Sequence, residues 1–393
     1  MLSSQDRRAL QSVATQFFVN GVVYASFIPR LPEIRDRIGV GLGTVGLILT
    51  LASLGGLVGS ALASSAVSRF GTKRVMVIFG SLSAAALPFV GFATGPVMLW
   101  AALTTLLFFD VFTDVAMNMQ GSVISGRRTV PVMNRLHGLW SVGTVLGGLA
   151  AAAMSAAGVS LQLHFIVVTI VSLLTIILVA PGLLPSDEVV DTGAEAAGGG
   201  RSSARRALAI LAVLGAMAMV LEVVSGEWAA FRLSDDLDAE PGVAGLGYVA
   251  YTIGMVVGRL AGDWFVTKIG DHHLIRTATV IAGIGLVLAT TVPLIPMALV
   301  GFLMAGLGNS VMFPHLYDQA AKAPGKPGAG LGAMTGGSKI GSLAAPVLVG
   351  VLASTDALTV GAAMAIVTLP AAIVIFGLRT LQARAPSANR SAP

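Results

Sequence analysis

The 393 residues carry 24 Lys and Arg against 19 Asp and Glu, so only 11% of the chain is charged, while 55% is hydrophobic and mean hydropathy is +0.86. Ordinary soluble surfaces need about a quarter charged residues, so a soluble multidomain protein is excluded and the chain reads as an all-α polytopic membrane protein. The net charge of +5 lies in short loops, which the cytoplasmic bias of cations explains without a nucleic-acid partner. The absence of cysteine excludes disulfides, thiolate metal sites and thiol catalysis.

A spanning helix needs about 20 apolar residues. Hydropathy and breakers predict spans at 9–29, 43–66, 75–93, 97–122, 132–157 and 161–183. A stretch poor in large apolar residues, 185–206, then separates a first bundle (1–184) from a second (207–380). The later spans are expected at 207–229, 243–266, 277–292, 297–320, 328–352 and 357–378, before a polar tail from Arg379 through 381–393. The basic start at Arg7 and Arg8 runs into a span with no small-residue cleavage site, so no cleaved signal peptide is expected.

The halves repeat. Sliding 41–74 by 199 residues onto 240–273 gives eight identical columns in 34, among them Gly46/Gly245, Gly55/Gly254, Gly59/Gly258 and Gly71/Gly270. A slightly different offset aligns Asn20 with Glu222 and Arg30 with Arg232. Both copies start on the same side, so they are parallel repeats of six helices.

Several strings carry a resemblance. The loop SRFGTKRV (Ser68 to Val75) has an Arg, a spacer, a Gly and basic residues in order, with Ser68 where an acid is usual. GRLAGDWFVTKIG (Gly258 to Gly270) places Arg259 and Asp263 one turn apart. These strings and the repeat resemble the major facilitator superfamily (MFS). DVAMNMQ from Asp114, PVMNRLHGLWSVG from Pro131 and FIPRLPEIRDRIGV after the first span resemble its bacterial fucose-permease-like branch. The resemblance implies the MFS fold and a solute site between the halves. Arg69, Arg259 and Asp263 are candidates for gating, and the simplest reading of the last two is an i, i+4 pair near the cytoplasmic end.

A charge at the bilayer centre costs ~2.5–3.5 kcal/mol or more, so each intramembrane polar group needs a reason. The fourth span carries Asp110, Asp114 and Asn118 on one stripe. Two carboxylates one turn apart repel when both are ionised, so the pair is a candidate for proton coupling. Its bland reading is a cap or a pair with a buried base. Glu222 and His137 are further coupling candidates. Gln16, Asn20 and Tyr24 form a second stripe, and Asn309, Phe313 and Tyr317 a third. With Asn118, Trp140 and Lys339 they are candidates for binding a hydroxylated ligand, against plain interhelical hydrogen bonds worth ~0.6 kcal/mol each. Glu227, near a span end, is expected to be solvated. No phosphate loop or metal cluster is evident, so no cofactor, no metal and no enzyme chemistry is expected.

The reading is a twelve-helix secondary transporter for a small polar solute, a sugar or related hydroxylated compound, with proton symport. Its partners are the solute, protons and lipid, with no nucleic acid, and the chain is expected to act as a monomer. The alternative is a proton-coupled antiporter exporting an amphipathic compound, favoured by Gly143, Gly147 and Gly148, which resemble part of an antiporter signature. A non-transporting sensor is a third. Eighteen of the 24 cations fall on the side of the termini and four opposite, with Arg259 and Lys339 inside spans, which puts both termini in the cytoplasm of a bacterial inner membrane. Single cysteines at 193 and 325 should therefore label only from the cytoplasm and one at 236 only from outside. Outside labelling at 193 refutes the two-times-six topology.

Overall fold

A computed structural model of the chain describes residues 4–127, 132–185, 201–269, 271–323 and 328–384. The helices of the first half are α1 (Ser4–Phe27), α2 (Leu31–Ile38), α3 (Leu42–Phe70), α4 (Thr72–Phe92), α5 (Pro96–Gly126), α6 (Met133–Ala156) and α7 (Leu161–Val179). Those of the second are α8 (Arg201–Glu227), α9 (Ala229–Leu237), α10 (Pro241–Ile269), α11 (Asp271–Thr291), α12 (Ile295–Asn309), α13 (Met312–Ala321), α14 (Ala329–Ala353) and α15 (Val360–Arg384).

Eleven segments among the described residues are long and apolar enough to cross a membrane, α12 and α13 counting together. α1 is not one of them, since it begins with Asp6, Arg7 and Arg8 and carries a polar stripe. It packs along α6 and α5 inside the first bundle, so the bundle around it provides the apolar setting for a twelfth span. Six spans pack into each bundle, as the repeat implies.

The structure departs from the predicted elements in four places. α8 begins at Arg201, earlier than 207, and α15 runs on to Arg384, past the expected start of the tail. Arg379 is only 2% exposed, because its guanidinium donates to Gln319 Oε1 of α13. The tenth span divides at Ser310–Val311. Pro314 has no N–H for the carbonyl of Ser310, and Gly308, Asn309 and Ser310 are poor helix formers. The loops after the first and seventh spans contain short helices, α2 and α9. Each buries one apolar face, Leu31 and Ile34 in α2, Phe231 and Leu233 in α9.

α1 starts and α15 ends on one face, here the terminal face, while α2 and α9 cover the far face. The bundles touch through the far-face ends of four helices. A Cβ on Gly46 of α3 would strike the carbonyl oxygen of Pro346 in α14, and one on Gly350 would lie 2.7 Å from that of Leu42. Thr50 Oγ1 donates to the Leu343 carbonyl at 2.9 Å. On the other seam, a Cβ on Gly242 of α10 would meet Ala152 O of α6 at 2.9 Å. Toward the terminal face, glycine contacts stay within a bundle, as Gly121 with Leu136 and Gly330 with Ala320. The bundles are thus closed at the far face and part toward the terminal face.

That closure can be locked. A Cβ on Gly43 lies 3.5 Å from Ser354 Cβ, close to the ~3.8 Å of a disulfide. In this cysteine-free chain, Gly43→Cys with Ser354→Cys should oxidise readily and hold the halves together on a non-reducing gel after cleavage of the linker. The lock should stop alternation until it is reduced. Absence of the cross-link refutes the closed far face.

Candidate functional site

The gap between the bundles is lined by polar side chains of the spanning helices, several of them open to solvent. On the first bundle, Asn20 of α1 is the hub. Its Nδ2 donates to Asp110 Oδ1 of α5 at 2.6 Å, and its Oδ1 accepts from Trp140 Nε1 of α6 at 2.8 Å. The ring of Tyr24 lies 6.3 Å from that of Trp140 and 5.9 Å, edge-on, from Phe27. One turn from Asp110, Asp114 is exposed and accepts from Asn118 Nδ2 at 2.9 Å. His137 is also exposed, its ring edge-on to Phe17 at 5.2 Å.

The second bundle answers across the gap. Lys339 of α14 is exposed and lies within electrostatic reach of Asp114. Arg259 of α10 crosses to the first bundle, where it donates to Ser141 Oγ at 2.8 Å, and its charge also reaches Glu222 and His137. Asn309 of α12 is 3% exposed. Its Nδ2 donates to the hydroxyl of Tyr251 at 3.1 Å, while its Oδ1 has no partner. Tyr317 is half exposed, on the same side as Asp114 and Glu222.

Thirteen of the residues singled out in the sequence therefore fall into three groups. Asn20, Tyr24, Asp110, Trp140, Glu222, Asn309 and Arg259 meet at the core of the gap. Asp114, Asn118, His137, Tyr317 and Lys339 line its open part. Gln16 turns away: it is 2% exposed and its amide points at the Met76 carbonyl of α4, 3.5 Å off. Arg69 is exposed at the terminal end of α3, its guanidinium over the Phe70 ring. The Asp263 side chain lies outside the described residues.

Glu227 departs from its expected solvation, since its Oε2 is enclosed and has no hydrogen-bond partner. Residues of the first bundle, Tyr24, Phe27, Leu31 and Leu49 among them, close around it. Tyr248 and Tyr251 of α10 were not singled out. A signal for them exists: the chain has four tyrosines, and all four, Tyr24, Tyr248, Tyr251 and Tyr317, lie within electrostatic reach of the acids in this gap. A hollow of ≈ 370 Å³ lies elsewhere, between α4 and α5, lined by alkyl and aromatic groups such as Leu82, Phe89 and Met98. Its walls suit lipid chains rather than a polar solute.

The sequence profile of the major facilitator superfamily matches residues 13–226 and 211–393. The chain belongs to the major facilitator superfamily. It is 26% identical over 356 residues to an uncharacterized MFS-type transporter of Yersinia pestis, covering 89% of this chain and 91% of that one. It is 27% identical over 314 residues to the membrane protein MosC of Rhizobium meliloti, covering 79% and 75%. Its fold is similar to that of the nucleoside transporter NupG, with TM-score 0.72, 11% identity and coverage of 97% and 100%. A bacterial homolog of the lysosomal transporter Spinster, solved in an inward-facing, unoccupied conformation, superposes with TM-score 0.65 at 12% identity over 97% of this chain and 96% of that one. The protein is a membrane-embedded MFS transporter for small-molecule solutes, not an enzyme.

Alternating access in an MFS transporter needs ends that hold and ends that release. On the far face, Arg30 grips Glu33 at 2.6 Å and the Val159 carbonyl at 2.8 Å, while Ser155 also binds Glu33. Its counterpart Arg232 grips Asp236 at 2.8 Å, and Asp236 caps α15 through the N–H groups of Val360 and Gly361. Each device lies within its own bundle and stiffens it. Because Asp236 is so engaged, Glu240, which is exposed, is the better outer labelling position. The Arg35 guanidinium instead crosses from α2 to Asp235 of α9 and lies over the Phe231 ring at 5.4 Å. Burial works against this cation, but hydrogen bonds to Asp235 and Asp36 outweigh it and push its pKa up. A partly exposed pair contributes roughly 1 kcal/mol. Arg35→Glu should therefore slow the 43–354 cross-link by about fivefold, and adding Asp235→Arg should restore it. An unchanged rate in Arg35→Glu refutes a bridging role.

Proposed function

We propose that this chain is a secondary transporter that moves a small hydroxylated solute into the cell by proton symport. It rocks two bundles about the polar gap, in a bacterial cytoplasmic membrane with both termini cytoplasmic, and works as a single chain. The observation that carries the reading is the Trp140–Asn20–Asp110 hydrogen-bond chain on one wall, with Asp114 opposite Lys339 of the other bundle. Ring faces, several hydroxyls and the unmet carbonyl oxygen of Asn309 suit a solute rich in hydroxyl groups. Rocking that separates the bundles takes Lys339 away from Asp114, which ties the charge on that carboxyl to the transport cycle. The similarity to NupG and to the Spinster homolog supports alternating access as the mechanism.

Two of the three α6 glycines behind the export reading pack within the first bundle. A Cβ on Gly143 would strike the Phe18 carbonyl, and one on Gly147 would lie 2.8 Å from that of Val22. Close packing against α1 accounts for both.

In right-side-out vesicles offered a solute panel, the reading expects inward flux with alkalinisation of the medium, while efflux driven by a proton gradient overturns it. One proton moving through 100 mV supplies about 2.3 kcal/mol, or roughly fiftyfold accumulation. Asp110→Asn or Asp114→Asn should keep counterflow but reduce accumulation to about one. If both variants still accumulate solute, the coupling carboxylate is Glu222 or lies elsewhere.

A further inference from the structure

Beyond the polar gap, toward the closed far face, a small niche ends at Glu227. Tyr24, Phe27, Leu49, Ser53 and Leu107 from the first bundle line it, and Glu227 of α8 faces them from the second. It leaves ≈ 20 Å³ for the centre of a water-sized group, enough for one.

The niche offers acceptors and no cation. Glu227 Oε2 is enclosed without a hydrogen-bond partner, and no Lys, Arg or His is among the residues lining the niche. The Ser53 hydroxyl donates to the Leu49 carbonyl at 2.9 Å, which leaves its lone pairs free. Tyr24 and Phe27 meet edge to face and offer ring surface. The cations of the gap are engaged elsewhere, Arg259 with Ser141 and Lys339 with Asp114. A carboxylate removed from water without a partner is costly. The complement of a carboxylate, a hydroxyl lone pair and two rings is a compact cationic donor.

We propose that Glu227 anchors a primary ammonium group of the solute, so that the cargo is an amine-bearing hydroxylated compound rather than a neutral sugar or an acid. That the bound molecule is cargo rests on the transporter reading above; the ammonium niche does not. Because its walls come from both bundles, an occupied niche draws them together at the far face.

The test uses the purified full chain with four probes of one scaffold, glucosamine, glucose, N-acetylglucosamine and glucuronate, and with ethanolamine as the minimal amine. The readouts are the thermal midpoint and the rate of the 43–354 cross-link. Glucosamine and ethanolamine should raise both, while the three probes without a free amine should not at equal concentration. Glu227→Gln removes the charge without a change of shape, so it should fold and should weaken half-saturation by the amines about tenfold or more. Glu227→Asp should retain part of the preference. No response to either amine, equal responses to glucose and glucosamine, wild-type amine binding by Glu227→Gln, or the same effect from sodium ion alone overturns the proposal. Amine binding that depends on Glu227 without accumulation in vesicles leaves the niche standing and refutes the symport reading. Accumulation of neutral solutes that is indifferent to Glu227 does the reverse.

Discussion

The close approach of backbones at Gly46, Gly350 and Gly242 is the contact on which the arrangement depends. Lipid chains are as apolar as leucine, so no hydrophobic force drives one bundle against the other in the membrane. What remains is dispersion between surfaces smooth enough to touch, and glycine provides it by removing the side chain. A Cβ on Gly46 would collide with the Pro346 carbonyl, so any side chain there pries the seam open. These contacts cluster at the far-face ends of α3, α14, α6 and α10. Two stiff bodies joined at one end diverge at the other, and that divergence leaves Asp114 and Lys339 accessible although each sits well inside a spanning helix.

The stiffness has its own source. Arg30 and Arg232 are 2% and 4% exposed, and each spends its hydrogen bonds on an acid one turn along and on carbonyl groups at the ends of neighbouring helices. Removing one partner of such a buried pair leaves an uncompensated charge, typically a loss of 3–5 kcal/mol. Arg35 is built differently. It joins the two bundles, is partly wet, and can be exchanged for water at small cost. Strong pairs within bundles and a weak pair between them are what a rocking motion requires.

The sequence showed the spans, the repeat and most residues facing the gap, because burial in lipid penalises every polar group without a purpose. It was silent where a third dimension decides. Four residues of helix turn through about 400°, so a stripe drifts ~40° at each step. Gln16 lies two such steps from Tyr24, and the drift carries it from the gap to α4. Glu227 was placed by its distance from a helix end, which measures depth but not what folds over it. The residues that close around it, Tyr24, Phe27 and Leu49 among them, belong to the other bundle. Tyr248 and Tyr251 look like ordinary aromatic filling in one dimension. Arg259 donates a hydrogen bond to Ser141 in the other bundle, a contact that no local spacing encodes.

The two halves keep one fold but exchange their polar parts. In the first, the amide is on α1 as Asn20 and the acid on α5 as Asp110, and they touch at 2.6 Å. At the aligned positions of the second, the acid is on α8 as Glu222 and the amide on α12 as Asn309. There Tyr251 takes the amide's hydrogen bond. The first wall is saturated, for both heavy atoms of the Asn20 amide are engaged by Asp110 and Trp140. The second keeps unmet acceptors, Asn309 Oδ1 and Glu227 Oε2. A group already bound within its own wall has little to offer a ligand, whereas an enclosed acceptor without a partner gains most from a ligand that donates to it. On the function proposed here, the second bundle therefore selects the solute. The first, whose hydrogen-bonded carboxylate is held in place by its own wall, is suited to handle the proton.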